Sequence, residues 1–336
     1  MQDNAISHRP WKNNQLTARS DSLRLGVALG GGGARGYAHI GILQVLEEAG
    51  ITAGAVAGTS SGALVGAVYA GGGLDRLVAE STQIRLLDVP RMLSPSWSLR
   101  GIFTGNNAIE WLSGLIGRET FDDLDIPFVA LATDVDTGES VVLRDGPVSS
   151  AVRASISIPG LFTPIHRDGR ILVDGGLVDP LPVAAARDLG AGFVIAVDLF
   201  GDAATVAPPP KDDEPGALDT TLNYIRGFLP AETEEPANNN RRHGPNVLEA
   251  IERSMIITQH GLTQARLARY PADFRFEPPV AEIGALDFHR AREGIEIGRE
   301  TARRELPALR DALERHRRRH TGLRGLFHRT IDAIRR

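Results

Sequence analysis

The sequence predicts an α/β fold with a mostly parallel central sheet covered by helices on both sides. Three observations lead there. Apolar runs at residues 23–29, 128–133 and 192–199 have strand length and no polar alternation, as strands buried on both faces require. Helical stretches at residues 37–49, 61–69, 148–156 and 183–189 lie between strands, which implies crossover connections and a parallel sheet. The chain is 336 residues long, enough for about two domains at roughly 150 residues each, or for one α/β domain with a large core.

Residues 1–22 are polar, carry Arg9, Lys12 and Arg19, and lack the apolar h-region of a signal peptide, so they read as a flexible arm. Residues 23–29 form the first strand and run into Gly30, Gly31, Gly32 and Gly33. Residues 37–49 follow as a helix that stops at Gly50. A brief strand at 55–58 leads into a small-residue helix at 61–69, closed by Gly71, Gly72 and Gly73. Helices are expected over 74–86 and 106–116. Residues 90–105 read as irregular, a wall or lid carrying Trp97 and Phe103. Strands are expected at 128–133, 141–143 and 170–173, a helix at 148–156 that ends before Pro159, a helix at 183–189 and a strand at 192–199. This alternation of strands and helices continues to about residue 200.

Composition changes beyond it. Residues 201–246 hold Pro208, Pro209 and Pro210, the acidic run from Asp212 to Glu214, and Asn238, Asn239 and Asn240, a loop composition with a short helix at 218–229. Residues 247–314 form a helical segment completing the domain: a long helix at 247–270, an edge strand at 273–277, and a final helix from 289 broken at Pro307. Residues 315–336 are a basic amphipathic tail. Eight arginines and one acid, Asp332, give it +7 against −5 for the whole chain, so the remainder carries −12. Leu323, Leu326, Phe327, Ile331 and Ile334 fall near one helical face, a pattern suited to an anionic membrane surface.

The chain has no cysteine, which excludes a disulfide scaffold, a thiolate metal site and a cysteine nucleophile. The acidic balance argues against a nucleic-acid partner. No stretch reaches the roughly 18 apolar residues of a membrane span. Cytoplasmic residence is expected, with peripheral attachment at the inner membrane left open.

Two glycine motifs carry the chemistry. Gly31, Gly33 and Gly36 match the spacing of a dinucleotide-binding loop, but residues 54–58 offer no ribose-binding acid, and the Gly-Lys-Ser/Thr of a triphosphate loop is missing. The alternative use is a nest of backbone N–H groups at a helix start, which holds an oxyanion. Arg35 stands in that loop, to add charge, hold a phosphate head group or pair with a carboxylate. Gly58-Thr59-Ser60-Ser61-Gly62 fits G-x-S-x-G between a strand and a helix, presenting Ser60 as a nucleophile; the plainer reading is a helix cap. Its base is open at this point. His39, His166 and His260 sit in poor places, and Asp134, Asp174, Asp179 and Asp198 all border strands.

The combination resembles the patatin-like phospholipase family, closest to its bacterial members. The blocks are Gly31-Gly32-Gly33-Ala34-Arg35-Gly36, Gly58-Thr59-Ser60-Ser61-Gly62, the stretch from Ala154 to Pro164, and Asp174-Gly175-Gly176. The resemblance implies a three-layer α/β/α sandwich over residues 23–200 and a serine–aspartate dyad, with Ser60 as nucleophile and Asp174 as general base. It places Gly31, Gly32, Gly33 and Arg35 in the oxyanion loop. It implies substrates among phospholipids, lysophospholipids and other acyl esters, with no metal or cofactor. Residues 90–103 and Leu161-Phe162 are candidates to line an acyl groove. A carboxylesterase for small soluble esters and a non-catalytic membrane-associated regulatory protein are the alternatives.

Overall fold

The computed structural model describes residues 24–93, 95–98, 101–104, 106–201, 220 and 247–334. Its sheet follows the order β10–β9–β1–β2–β5–β8–β7, with β6 beside β5. The strands are β1 (Leu25–Leu29), β2 (Ala55–Thr59), β5 (Phe128–Asp134), β6 (Ser140–Leu143), β7 (Ile165–Arg167), β8 (Arg170–Asp174), β9 (Phe193–Val197) and β10 (Phe274–Phe276). β10, β9, β1, β2 and β5 run parallel; β6, β7 and β8 pair antiparallel.

The strand sequences explain the layers. Side chains alternate across a sheet. Val27, Leu29, Val56, Phe128, Phe193 and Ile195 face one core, filled by α1 (Tyr37–Glu48), α2 (Ser61–Ala70), α5 (Asn106–Ile116), α6 (Val148–Ser155) and α9 (Ala291–Ile334). The other face shows smaller residues, Ala28, Ala57 and Ala196 among them, beneath α7 (Val183–Asp188) and the end of α8 (Val247–Arg269). Small side chains let α7 approach closely. The result is the expected α/β/α sandwich.

Several local expectations change. The helix expected over 74–86 ends as α3 (Leu74–Ser81), because Arg85 and Asp88 cap a separate short turn. Residues 90–105 are not wholly irregular: α4 (Val89–Leu93) precedes a hairpin of β3 (Pro95–Ser98) and β4 (Gly101–Phe103). Phe103 exchanges backbone hydrogen bonds with Leu161 and Thr163, tying this hairpin to the 154–164 stretch. β7 was not expected. It joins β8 through Asp168 and Gly169, both at positive φ, as a tight two-residue hairpin turn demands.

The final helix is not broken at Pro307. An interior proline costs about 3 kcal/mol through a lost hydrogen bond and a steric clash. Ala302, Leu309 and Leu313 are buried on either side of it, and that packing holds the helix together across the defect. The helix also continues beyond residue 314 to Ile334. The arm at 1–22 and the helix expected at 218–229 lie outside the described residues, apart from Thr220. Among the described residues, no helix is long and apolar enough to cross a membrane.

Candidate active site

β2 ends at Thr59 and α2 begins at Ser61, so Ser60 turns the chain in a single residue. Its φ of 54° and ψ of −121° are unfavourable for a side-chain-bearing residue. The turn is possible because its flanks are glycine: a side chain on Gly62 would strike the Leu29 carbonyl, and one on Gly58 would strike Gly62. Ser60 makes no side-chain cap to α2, which removes the helix-cap reading. Its Oγ instead donates to Asp174 Oδ2 at 2.6 Å.

Asp174 ends β8, opposite Ala132 of β5. Its main chain is fixed twice: its N–H donates to Ser157 O, and its carbonyl accepts from Thr133 Oγ1 at 2.8 Å. The Gly176 N–H donates to Oδ1 at 2.7 Å and sets the carboxylate plane. Burial pushes the carboxyl up to about 6, against the two hydrogen bonds that favour the anion.

The glycine loop crosses above Ser60. The N–H of Gly31 is committed to Pro180 O at 3.0 Å, so Gly31 shapes the loop without offering its amide to the cleft. The amides of Gly32 and Gly33 donate to no partner among the described residues, and both residues line the cavity at Ser60. Gly33 has φ of 60° and lies against Ala285, whose carbonyl a side chain would strike. Arg35 is buried, with Nη2 3.3 Å from Glu252 Oε1 and the guanidinium over the Phe200 ring. Burial lowers its pKa, and Glu252 works against that shift.

The competing bases go elsewhere. His39 is buried with Nε2 2.8 Å from Gly30 O, and burial drives it down to about 4, so it stays neutral and supports the loop. His260 Nδ1 meets Phe200 O, and His166 is exposed on β7. Asp179 pairs with Arg266, Asp198 holds the Phe200 N–H, and Asp134 holds that of Asp136. Among the described residues, no cluster of three His, Asp or Glu side chains is placed to hold a metal ion.

Two cavities meet at Ser60. One lies under α8 and carries Asp174, Arg35, Glu252 and Gln259. The other is almost wholly apolar and is lined by Leu64, Leu77, Trp111 and Phe162, with Met92 and Leu93 from the 90–105 stretch. Leu161 borders the first and Phe162 the second.

The sequence profile of the patatin-like phospholipase family matches residues 27–187, which include the glycine loop, Ser60 and Asp174. The chain is 35% identical to the NTE family protein Rv1063c of Mycobacterium tuberculosis, over 86% of this chain and 93% of that protein. The chain belongs to the patatin-like phospholipase/NTE family. It is also 30% identical to Lysophospholipase NTE1 of Pyricularia oryzae, over 91% of this chain and 20% of that much longer protein. Membership makes the chain a lipid hydrolase of the patatin/NTE type at the level of class.

Sequence reasoning missed three residues at this patatin-like site, one inside the matched core and two beyond it. Ser155 Oγ accepts the Ser60 N–H at 2.9 Å and donates to Leu131 O at 2.5 Å, pinning the turn to β5. It lies in the 154–164 stretch, and its small polar side chain in a buried helix end was the available signal. Glu252 and Gln259 come from α8, outside the profile match, seven residues apart on one helical face. Their faces are legible as helical periodicity, but the docking of α8 over the loop is not.

Proposed function

We propose that the chain is a serine acyl hydrolase that cleaves fatty-acyl esters of lysophospholipids or phospholipids, with Ser60 as nucleophile and Asp174 as general base. The 2.6 Å Ser60–Asp174 hydrogen bond carries this reading. It sits beside unpartnered amides and an apolar cavity, where an ester carbonyl with a long chain would fit. The lysophospholipase name of the fungal relative favours the lipid substrate class.

In the reaction, Ser60 Oγ attacks the ester carbonyl while its proton passes to Asp174. The Gly32 and Gly33 amides receive the oxyanion; such donors each supply about 2.7–4 kcal/mol in related sites. The tetrahedral intermediate collapses by breaking the bond to the alkoxy oxygen, which takes the proton from Asp174. Water then attacks the acyl-enzyme, Asp174 accepts its proton, and the proton returns to Ser60 as fatty acid leaves. A raised carboxyl pKa makes Asp174 a stronger base than an exposed aspartate.

The test is fatty-acid release from mixed phospholipid and lysophospholipid vesicles by wild type and folded Ser60→Ala. Release by wild type alone supports the proposal. Equal release removes Ser60 from it. Turnover of dispersed short esters without vesicle hydrolysis moves the assignment to a soluble carboxylesterase, and no turnover at all moves it to a non-catalytic role.

A further inference from the structure

We infer that the two cavities divide the ester between them: the apolar chamber along α2 takes the acyl chain, with Trp111 closing its far end, and the α8 cavity takes the leaving alcohol. This rests on the Ser60–Asp174 reading above.

Asp174 takes the proton from Ser60 and must deliver it to the leaving oxygen, which requires hydrogen-bond reach. Asp174 lines the cavity under α8 and does not line the apolar chamber. The alkoxy substituent therefore lies on the α8 side. With the carbonyl oxygen turned to Gly32 and Gly33, the acyl substituent must point the other way. Gly33, Ser60, Ile158, Ala285 and Leu286 line both cavities, so the carbonyl carbon sits where they join.

The linings agree with this division. The α8 cavity is also mostly apolar, through Leu161, Phe200, Met255 and Ile256, but it alone adds Arg35, Glu252 and Gln259, which suit the polar part of an alcohol such as a glycerol head group. The opposite chamber has Leu64 and Val65 from α2, Leu77 from α3 and Trp111 from α5. Burying each methylene there is worth about fourfold in binding.

The far end is defined by the helices. α2 rises about 1.5 Å per residue, so Leu64 and Val65 lie roughly 6–8 Å beyond Ser60 along its axis. The end of α5 packs where α2 stops: Gly71 lies against the Ile116 carbonyl and Gly73 against that of Leu115. Trp111 Nε1 donates to Glu80 Oε2 at 2.6 Å, fixing the indole and tying α5 to α3. An indole held in this way on the α3–α5 side of the chamber is the lining group that would limit the length of chain it accepts.

The test uses two ester series, one varying acyl length with a fixed p-nitrophenol leaving group, the other varying the alcohol with a fixed acyl group. Trp111→Ala should raise the kcat/KM ratio of sixteen- to four-carbon acyl esters by about tenfold or more, as several further methylenes become buried. Leu64→Trp, which fills the chamber, should lower the same ratio. Neither should alter the ranking of alcohols. An unchanged acyl profile in both variants, alongside Ser60-dependent hydrolysis by wild type, overturns the inference and leaves the hydrolase reading intact. A changed alcohol ranking with a constant acyl profile reverses the assignment and also overturns it. If no ester is hydrolysed, the hydrolase reading fails, and the chamber is judged by palmitate binding to Trp11→Phe/Trp97→Phe protein. Quenching of the remaining Trp111 fluorescence then supports an acyl site, and constant fluorescence overturns it.

Discussion

Ser60 and Asp174 meet through a 2.6 Å hydrogen bond between side chains 114 residues apart, both nearly sealed from solvent. The raised carboxyl pKa of about 6 gives this pair a pH signature. As a base, Asp174 must be ionised, so kcat/KM should rise with pH through about 6 and then level. Stability runs the other way. The folded carboxyl holds its proton more tightly than an unfolded one, so between about 4 and 6 the folded state binds more protons. That contribution to stability is fully present below about 4 and is lost as pH rises through 6. Asp174→Asn should therefore abolish hydrolysis while keeping or raising the unfolding free energy at pH 7, by at most about 3 kcal/mol. Chemical denaturation at pH 5 and 7 checks it; a large destabilisation at pH 7 would contradict the account.

Ser155 supports the turn that aims Ser60. Ser155→Ala leaves the Ser60 N–H and the Leu131 carbonyl without their partner, at a cost of about 1–3 kcal/mol. Because φ and ψ of Ser60 are already strained, the turn should relax and move Oγ. The expected result is a fall in kcat larger than any change in KM, read from steady-state kinetics beside an unfolding curve. Thr at this position keeps a hydroxyl and should recover part of kcat.

Much of this arrangement is legible from local chemistry. The alternation of apolar runs with helices gives the layers, and Gly58 and Gly62 mark the turn at Ser60. Choosing Asp174 among four strand-bordering aspartates takes tertiary information, because it depends on β8 pairing antiparallel with β5 and bringing residue 174 beside residue 60. The Gly31 amide illustrates the same limit. A glycine run announces available donors, but only the approach of Pro180 shows that this one is occupied. Pro307 shows the reverse case, a strong local breaker overruled by burial on both sides.

The basic tail gives an electrostatic prediction. Residues 321–336 combine Arg324, Arg329, Arg335 and Arg336 with a stripe of apolar residues. Each arginine near an anionic surface contributes about 1 kcal/mol, screened by salt. The full chain should sediment with phosphatidylserine-containing vesicles at low salt and release at high salt. Protein lacking 321–336 should bind several-fold less. Equal binding by both proteins would exclude the tail as the contact.

Glu252 has two tasks at one oxygen, and substitutions separate them. Its Oε1 lies 3.3 Å from Arg35 Nη2 and accepts the Ala285 N–H at 3.1 Å. Arg35 is buried, whereas the Glu252 side chain is 30% exposed, so solvent softens the loss of the pair. Glu252→Ala removes both interactions and should destabilise the fold by about 1–2 kcal/mol. It should also loosen the Gly33–Ala285 contact that seats the glycine loop, lowering kcat. Glu252→Gln keeps an oxygen for the Ala285 N–H and removes the charge facing Arg35. If seating the loop is the larger task, the Gln variant should retain most of kcat and lose mainly the salt sensitivity of stability. If the charge matters more, both variants should fall together. Thermal unfolding at two salt concentrations, paired with kcat, separates the two.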